Sequence, residues 1–240
     1  MDDDFADVDD KFENESTDGK DVEEVSNLND PFNIHLNYDL DDLLLESVTV
    51  SLPKLQTSTL YWPVLHNLKI EIPVSRNKNE DKKADEIYIG DTKEYAKQGK
   101  PPTLITDVSW DKLYVKAQIQ DNIAKANSKQ LGDKYKNKLL TPLQKELFAI
   151  MNNYQDLFYP ERNISNGEEV RFAYCLHAVN HLMKTRTKIL HHNEKLSKKI
   201  KEQVPDEYRD QGLVRPKVLI LAPFRDSCLR YVKLFFNLHE

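Results

Sequence analysis

The sequence has few cysteines, no long apolar run and no positively charged leader. Its two cysteines, Cys175 and Cys228, lie in segments that are predicted to be helical and partly buried. No apolar run approaches the roughly 20 residues that span a bilayer, and the N-terminus carries aspartates where a secretory leader would carry positive charge. We therefore expect a protein of a reducing compartment, without a disulfide framework, a signal peptide or a membrane partner.

A phosphate-binding loop is also missing. The signature Gly-x-x-x-x-Gly-Lys-Thr needs its glycines so that backbone amides can approach the phosphates, and its lysine to reach the β and γ groups. The candidate stretch 178–185 retains Lys184 and Thr185 but neither glycine. Its apolar periodicity predicts an uninterrupted helix, in which backbone amides already bond to preceding carbonyls. We therefore expect no enzymatic activity, no cofactor and no small-molecule substrate, with a divergent RNA-dependent ATPase as the alternative.

Composition and charge divide the chain. Charged residues make up 31% of it, hydrophobic residues 39%, and the mean hydropathy is -0.67, so only part of the chain is expected to fold tightly. Residues 1–30 hold thirteen acidic and two basic side chains, a balance of -11 within a total of -6. Such a tail is common in proteins that work around nucleic acid. A solvated disordered tail without a binding role is the other interpretation.

Residues 31–135 contain sparse apolar positions that are interrupted by proline. Short strands are predicted near Tyr61-Trp-Pro-Val-Leu and at Lys69–Pro73, and a modest helix, capped by Ser109, from there to Ala126. A segment this poor in core usually gains structure on another surface. We therefore interpret 31–135 as an extended protein-binding region with little core.

Residues 136–240 carry stronger signals. A helix is predicted at 141–152, since Thr141 can cap it, Pro142 suits its first position and Gln144 falls at its third. A long helix at 167–203 follows, with an apolar stripe from Phe172 to Met183 and then a basic half. A strand at 216–222 and a helix at 224–237, with Leu229, Val232 and Phe236 as its apolar stripe, complete the pattern.

The apolar run at 216–222 does not alternate, which is typical of a central strand in a parallel sheet covered on both faces. The turn after such a strand borders the ligand crevice of an open α/β sheet. This turn resembles the Pro-Thr-Arg-Glu-Leu-Ala element of DEAD-box RNA helicases, which touches the RNA backbone. Pro223 and Arg225 match it, while Phe224 replaces the threonine and Asp226 the glutamate.

The spacing of several histidines also permits a metal site. His177 and His181 are four residues apart on one helical face, with Cys175 close by and His191-His192 further on. No paired carboxylate or third ligand stands at motif spacing. Packed or surface histidines are therefore the favoured interpretation, and no metal is expected.

Three blocks of the second half resemble one family. They are Thr141-Pro-Leu-Gln-Lys-Glu-Leu-Phe with Tyr154-Gln-Asp-Leu-Phe-Tyr-Pro-Glu-Arg, then Tyr174-Cys-Leu-His-Ala-Val-Asn-His-Leu, then Asp210-Gln-Gly-Leu-Val-Arg-Pro-Lys-Val-Leu-Ile-Leu-Ala-Pro-Phe-Arg. Together they resemble the digestive organ expansion factor family, known in fungi as U three protein twenty-five. The resemblance covers 136–240 well and 31–135 weakly.

That resemblance implies an α/β fold: the incomplete N-terminal part of a RecA-like, DEAD-box-like domain, preceded by a mostly extended or disordered region. It identifies the chain as an N-terminal fragment of a nucleolar component of the small-subunit processome. The implied role is non-catalytic, in 18S pre-ribosomal RNA processing. The implied partners are pre-ribosomal RNA, the U-three small nucleolar RNA and other processome proteins.

The candidate RNA contacts are Arg225, at the strand end, and Lys184, Arg186 and Lys188, in the basic half of the long helix. Clustered basic side chains bind phosphate in a salt-sensitive way. A solvated helix face explains the helical lysines equally well. A protein-only adaptor without RNA contact is a further alternative.

Overall fold

The computed structural model describes residues 29–39, 54–73, 94–95, 100–131, 138–198 and 216–239. Nearly all of the predicted acidic tail, the loop predicted at 75–86 and the end of the long helix at 199–203 lie outside these residues. The described elements, in chain order, are α1 (Pro31–Asn37), β1 (Tyr38–Asp39), β2 (Leu55–Trp62), β3 (His66–Pro73), β4 (Glu94–Tyr95), α2 (Ala117–Ala126), α3 (Ser128–Leu131), α4 (Pro142–Asn152), α5 (Gly167–Lys198) and α6 (Arg225–His239).

Helix α4 begins as its sequence predicts. The Thr141 hydroxyl accepts a hydrogen bond from the Gln144 amide at 3.2 Å, and the Gln144 side chain accepts one from the Thr141 amide at 2.9 Å. Pro142 occupies the first helical position, where no amide hydrogen is needed. The reciprocal bonds satisfy two backbone donors at once and fix where the helix starts.

Helix α5 is the central element of the fold and runs unbroken through 32 residues. Its predicted apolar stripe is buried: Phe172, Leu176 and Val179 lie in one core cluster. The cluster also takes in residues of α2, α4 and α6 and of the preceding turns, namely Val115, Ile119, Ile123, Leu140, Phe148, Tyr231 and Leu238. Helices α2, α4 and α6 therefore share this core cluster with α5.

A β-hairpin packs against the outer side of α4. Strands β2 and β3 pair antiparallel from Leu55 opposite Pro73 to Trp62 opposite His66, and His66 has a positive φ of 56° after the turn. Trp62 is buried against Ala149 and Ile150. The Glu146 carboxylate accepts hydrogen bonds from the turn amides, at 3.0 Å from Val64 and 2.7 Å from Leu65. These contacts attach the hairpin to the helical core.

The division predicted near residue 135 stays a prediction, but described residues on its N-terminal side share core clusters with the second half. Val115, Ile119 and Ile123 are buried in the core cluster around α5. Trp62 is buried in a separate cluster against α4. The apolar residues of this region are few, but they are buried because they pack against α4, α5 and α6. The helix predicted from Ser109 begins at Ala117 instead, since the chain first makes a turn in which Tyr114 has a φ of 54°.

The strand predicted at 216–222 is not formed in the described part of the structure. The segment is extended, but no described strand lies beside it to complete a hydrogen-bonded ladder. The observed sheets there are two-stranded, with β1 parallel to β4 and β2 antiparallel to β3. The fold is therefore a mixed helix and strand structure dominated by helices, and a parallel sheet of RecA type is not seen in these residues.

Helix α6 turns a different face to the core from the one predicted. Tyr231 and Leu238 are buried, whereas the predicted stripe of Leu229, Val232 and Phe236 is 48–60% exposed. The helix carries apolar residues on both sides, so periodicity alone does not decide which side packs on α5. None of the helices in the described segments is long and apolar enough to span a bilayer.

Candidate RNA-contact residues and the Asp30–Lys184 clasp

Lys184, one of the predicted RNA contacts, is buried and paired with an acidic residue from the beginning of the described chain. Its Nζ lies 2.9 Å from Oδ1 and 2.6 Å from Oδ2 of Asp30, and only 9% of the lysine is exposed. We call this pair the clasp. Because the ammonium group already donates to a carboxylate in a buried position, it is not available to an RNA phosphate. The structure thus places Lys184 in a buried ion pair, and its predicted contact with RNA stays a prediction.

Aromatic rings complete the surroundings of the Lys184 ammonium. Its Nζ is 5.5 Å from the ring centroid of Phe32 and 5.7 Å from that of Tyr114. Ring faces attract a cation at such distances, most strongly where water is excluded. The carboxylate and the two rings together compensate the cost of burying the charge.

Tyr154 lies at the centre of a cluster of rings beside the clasp. Its hydroxyl oxygen is 2.9 Å from Nδ1 of His181, His35 stacks on its ring at 4.3 Å, and His177 meets its ring edge-on at 4.9 Å. Phe32 approaches the same group, with its centroid 5.6 Å from that of His181. The first turn of the described chain, α1, is thereby packed onto the middle of α5.

Burial decides the ionisation of this cluster. It lowers the pKa of His177 to about 4, helped by repulsion from His181, His35 and Lys184. Burial likewise lowers the pKa of His181 and of His35 and, with the charge of Asp30, raises the pKa of Tyr154. The three histidines are therefore neutral at pH 7.

The possible metal ligands do not converge. Within the described ranges no group of three or more histidine, cysteine or carboxylate side chains is placed to hold a metal ion. His177 and His181 contact Tyr154 instead, and burial raises the pKa of the Cys175 thiol to about 12. The observed arrangement is that of packed histidines.

The stretch that was compared with a phosphate-binding loop is continuous helix. The Thr185 hydroxyl donates to the His181 carbonyl at 2.8 Å, a bond within the helix itself. Asn180 accepts from the Lys116 amide at 2.9 Å and donates to the Tyr114 carbonyl at 3.2 Å. These side chains bond to backbone groups of their neighbours. The amides of 178–185 already donate to carbonyls within the helix, so they cannot donate to a phosphate.

The positive end of α5 is occupied by the chain's own carboxylates. Glu169 accepts a hydrogen bond of 2.6 Å from the Thr141 hydroxyl. Glu168 pairs with Arg171 and, at 2.9 Å, with Arg230 of α6, and the hydrogen bond from Arg171 contributes most to lowering its pKa. A helix N-terminus favours an anion. Here carboxylates supply that charge and would repel a phosphate.

The other three predicted contacts differ in exposure. Arg225 is exposed at the first position of α6, Arg186 is exposed in the middle of α5, and Lys188 is partly buried. Arg230, early in α6 like Arg225, pairs with Glu168, whereas Arg186 lies 18 residues further along α5, roughly 27 Å at helical rise. The Arg230–Glu168 pair joins the N-terminal part of α6 to the start of α5, and Arg225 lies five residues before Arg230.

Two acidic residues that organise this region, Asp30 and Glu146, were not predicted from the sequence. Asp30 falls at the end of the predicted acidic tail, and no role was predicted for Glu146. The only local signal was the sequence Asp30-Pro-Phe, in which the aspartate accepts a bond of 2.9 Å from the Phe32 amide and starts α1. The contacts with Lys184 and with the hairpin turn depend on tertiary structure.

Comparison with known proteins identifies clear relatives. The family described as "UTP25, NTP hydrolase-like domain" matches residues 154–240. The mouse "U3 small nucleolar RNA-associated protein 25 homolog" is 41% identical over 214 residues, which are 88% of this chain and 25% of that protein. The human homologue of the same name is 38% identical, with the same coverage.

Fungal relatives match a shorter stretch. "U3 small nucleolar RNA-associated protein 25" of Botryotinia fuckeliana is 46% identical over 100 residues, which are 41% of this chain and 13% of that protein. No solved structure matches the chain. The chain spans about a quarter of the length of the mammalian relatives it matches.

Proposed function

The chain belongs to the U3 small nucleolar RNA-associated protein 25 family, and from this we propose that it is a non-catalytic ribosome biogenesis factor. It acts in 18S pre-ribosomal RNA processing as part of the small-subunit processome, in the nucleolus of the nucleus. Its partners are pre-ribosomal RNA, the U3 small nucleolar RNA and other processome proteins. The observation that carries this proposal is the identity of 38–41% to relatives named for U3 association.

The geometry around α5 supports a role without nucleotide hydrolysis. A phosphate site needs free backbone amides at a helix N-terminus and a lysine that can reach the phosphates. Glu168 and Glu169 occupy the positive end of α5, and the ammonium of Lys184 is held by Asp30. Both positions that could serve a triphosphate thus carry negative charge from the chain itself.

Exposed basic side chains support RNA contact at two places. Arg225 offers its guanidinium at the beginning of α6, and the exposed Arg186 lies with the partly buried Lys188 on the basic half of α5. Arginine suits phosphate because its fork of donors can bind two oxygens. Because the ammonium of Lys184 is held by Asp30, Arg225 and Arg186 are the principal proposed contacts.

We also propose that 216–222 is a central strand of a RecA-like sheet. Ile220 and Ala222 pack on the core, while Leu219 and Leu221 are 80% and 84% exposed. A strand with apolar residues on both faces is typical of a sheet covered on both sides. In a longer member of the family, neighbouring strands would pair with its edges and helices would cover this outer face.

Crosslinking in cells, followed by sequencing of the bound RNA, tests the RNA proposal. Cells would express the full-length gene product unaltered, with Arg225→Glu, with Arg186→Glu, or with Lys129→Glu as an exposed basic control on α3. Enrichment of pre-18S or U3 RNA that falls with Arg225→Glu or Arg186→Glu, but not with Lys129→Glu, is the expected result. If neither Arg225→Glu nor Arg186→Glu lowers the RNA signal, the proposed RNA contacts are wrong.

The two alternatives have their own readouts in the same material. The description of the family as NTP hydrolase-like favours a divergent RNA-dependent ATPase, which predicts saturable binding of a fluorescent ATP analogue in the presence of magnesium and RNA. A protein-only adaptor predicts that processome proteins still co-purify while no RNA is crosslinked. The exposed apolar side chains of α6 favour the adaptor over the ATPase.

A further inference from the structure

The beginning of the described chain is held like a bound peptide. Helix α1 has only seven residues, too few to be stable alone in water, so its conformation depends on what it contacts. It lies on a groove that we define by Tyr114, Tyr154, His177, His181 and Lys184. These five residues come from three separate places in the chain and meet only in the folded structure.

Three side chains of the segment make the specific contacts. Asp30 bonds to Lys184 Nζ through both carboxylate oxygens, at 2.9 and 2.6 Å. Phe32 is 4% exposed and contacts the rings of Tyr154 and His181, with centroids 6.4 and 5.6 Å away. His35 stacks on Tyr154.

Two apolar side chains of the same segment are directed more towards solvent. Ile34 and Leu36 are 45% and 40% exposed. The hydrogen bond from the Phe32 amide to the Asp30 carboxylate sets the angle between the two anchoring side chains. The groove therefore recognises a carboxylate (Asp30) and an aromatic ring two residues later (Phe32). A second ring, that of His35, follows one helical turn after Phe32.

We propose that this groove is a recognition site for a short peptide with an Asp-x-Phe pattern, filled here in cis by residues 30–35, and that a protein partner carrying the same pattern exchanges with the cis segment. A covalently attached segment has an effective concentration in the millimolar range when its linker is short and flexible. A partner must therefore bind more tightly or hold a second contact. The inference is independent of the proposed RNA contacts.

The test measures whether the segment is a separable ligand. In the full chain, residues 44–50 are replaced by a seven-residue protease recognition sequence, and a C-terminal tag immobilises the body after cleavage. The expected result is that the N-terminal piece stays on the body and is displaced by an excess of a synthetic peptide of residues 29–39. Retention should fall roughly ten-fold or more for Asp30→Asn or Phe32→Ala in the piece.

Matched controls separate recognition from general destabilisation. Ile34→Ala removes an apolar side chain of the same segment from an exposed position and should leave retention unchanged. On the body, Lys184→Met should release the piece, whereas Lys195→Met, which alters an exposed lysine of the same helix, should not. Because the peptide variants act on an unaltered body, misfolding of Lys184→Met does not decide the result.

Three results of the cleavage and peptide experiments would overturn the proposal. They are release of the unaltered piece on cleavage, failure of the 29–39 peptide to displace it, and equal displacement by a 29–39 peptide with Asp30→Asn. Displacement by RNA in place of the peptide would assign the groove to nucleic acid and would equally contradict it.

Discussion

Asn127 and Gln144 exchange two side-chain hydrogen bonds of 2.8 Å in the interior, each amide donating to the oxygen of the other. Both residues are fully buried. Gln144 also accepts from the Thr141 amide, so the pair joins the end of α2 to the start of α4. Gln144 thus takes part both in the cap of α4 and in the contact between α2 and α4.

Replacing Asn127 by leucine should lower the free energy of unfolding by about 2–4 kcal/mol, because the Gln144 amide then loses its partner in a buried place. Urea denaturation followed by far-UV circular dichroism measures this change. Asn127→Leu combined with Gln144→Met should cost less than the sum of the two single changes. Strict additivity would mean that the reciprocal bonds contribute nothing.

The Glu146→Ala change should loosen the β2–β3 hairpin without unfolding the helices. Two turn amides lose a charged acceptor, at a cost of about 1.5–3 kcal/mol. Amide hydrogen exchange at Val64 and Leu65 should accelerate, while exchange in the middle of α5 should not change. Glu161→Ala, which alters an exposed glutamate, is the control, and the same acceleration there would contradict the assigned role of Glu146.

Stability should fall as the solution is acidified from about pH 6.5 towards pH 4. Burial holds the pKa of His177 at about 4, below its unfolded value of 6.5, so the unfolded chain binds more protons in this window. The contribution of His177 is fully present above pH 6.5 and amounts to at most about 3 kcal/mol. Other groups of the cluster, His35 and His181, have lowered pKa values and act in the same direction.

Denaturation midpoints measured between pH 4 and pH 7.5 check this expectation. The His177→Gln variant should lose part of the pH dependence, since it removes a group whose pKa burial lowers to about 4. Changing His191, which is exposed, to glutamine should leave the dependence as it is. A flat profile in the unaltered chain would show that burial of the cluster is not maintained in solution.

Charged residues placed on the outer side of 216–239 should raise solubility with little loss of stability. Leu221 and Phe236 are 84% and 60% exposed, so lysine at these positions removes apolar surface that would otherwise favour association. The Leu221→Lys/Phe236→Lys double variant should stay monomeric in light scattering at higher concentration than the unaltered chain. Unfolding of the variant would instead indicate that these side chains belong to the interior.

Local sequence signals predicted the parts of the fold that local physics controls. The start of α4 followed from Thr141-Pro-Leu-Gln, because a capping box is made within four residues. The course of α5 followed from apolar residues at helical spacing. Family membership was predicted from three short sequence blocks in residues 136–240.

Contacts between distant residues were not predictable in the same way. Lys184 is separated from Asp30 by 154 positions, and nothing local distinguishes it from the exposed basic residues that follow it on α5. The run at 216–222 has the composition of a strand, yet pairing requires a neighbour. Which face of α6 is buried depends on the side chains of α2 and α5 against which it packs.

The clasp also has a consequence for the order of folding. It joins the ends of the longest loop among the hydrogen bonds described above, and closing a long loop is slow because chain entropy is lost before the contact forms. The groove that receives Asp30 exists only after Tyr114, Tyr154 and α5 have come together. Docking of α1 is therefore expected as a late event, and its release as the first step of unfolding, ahead of the core around Phe172 and Leu176.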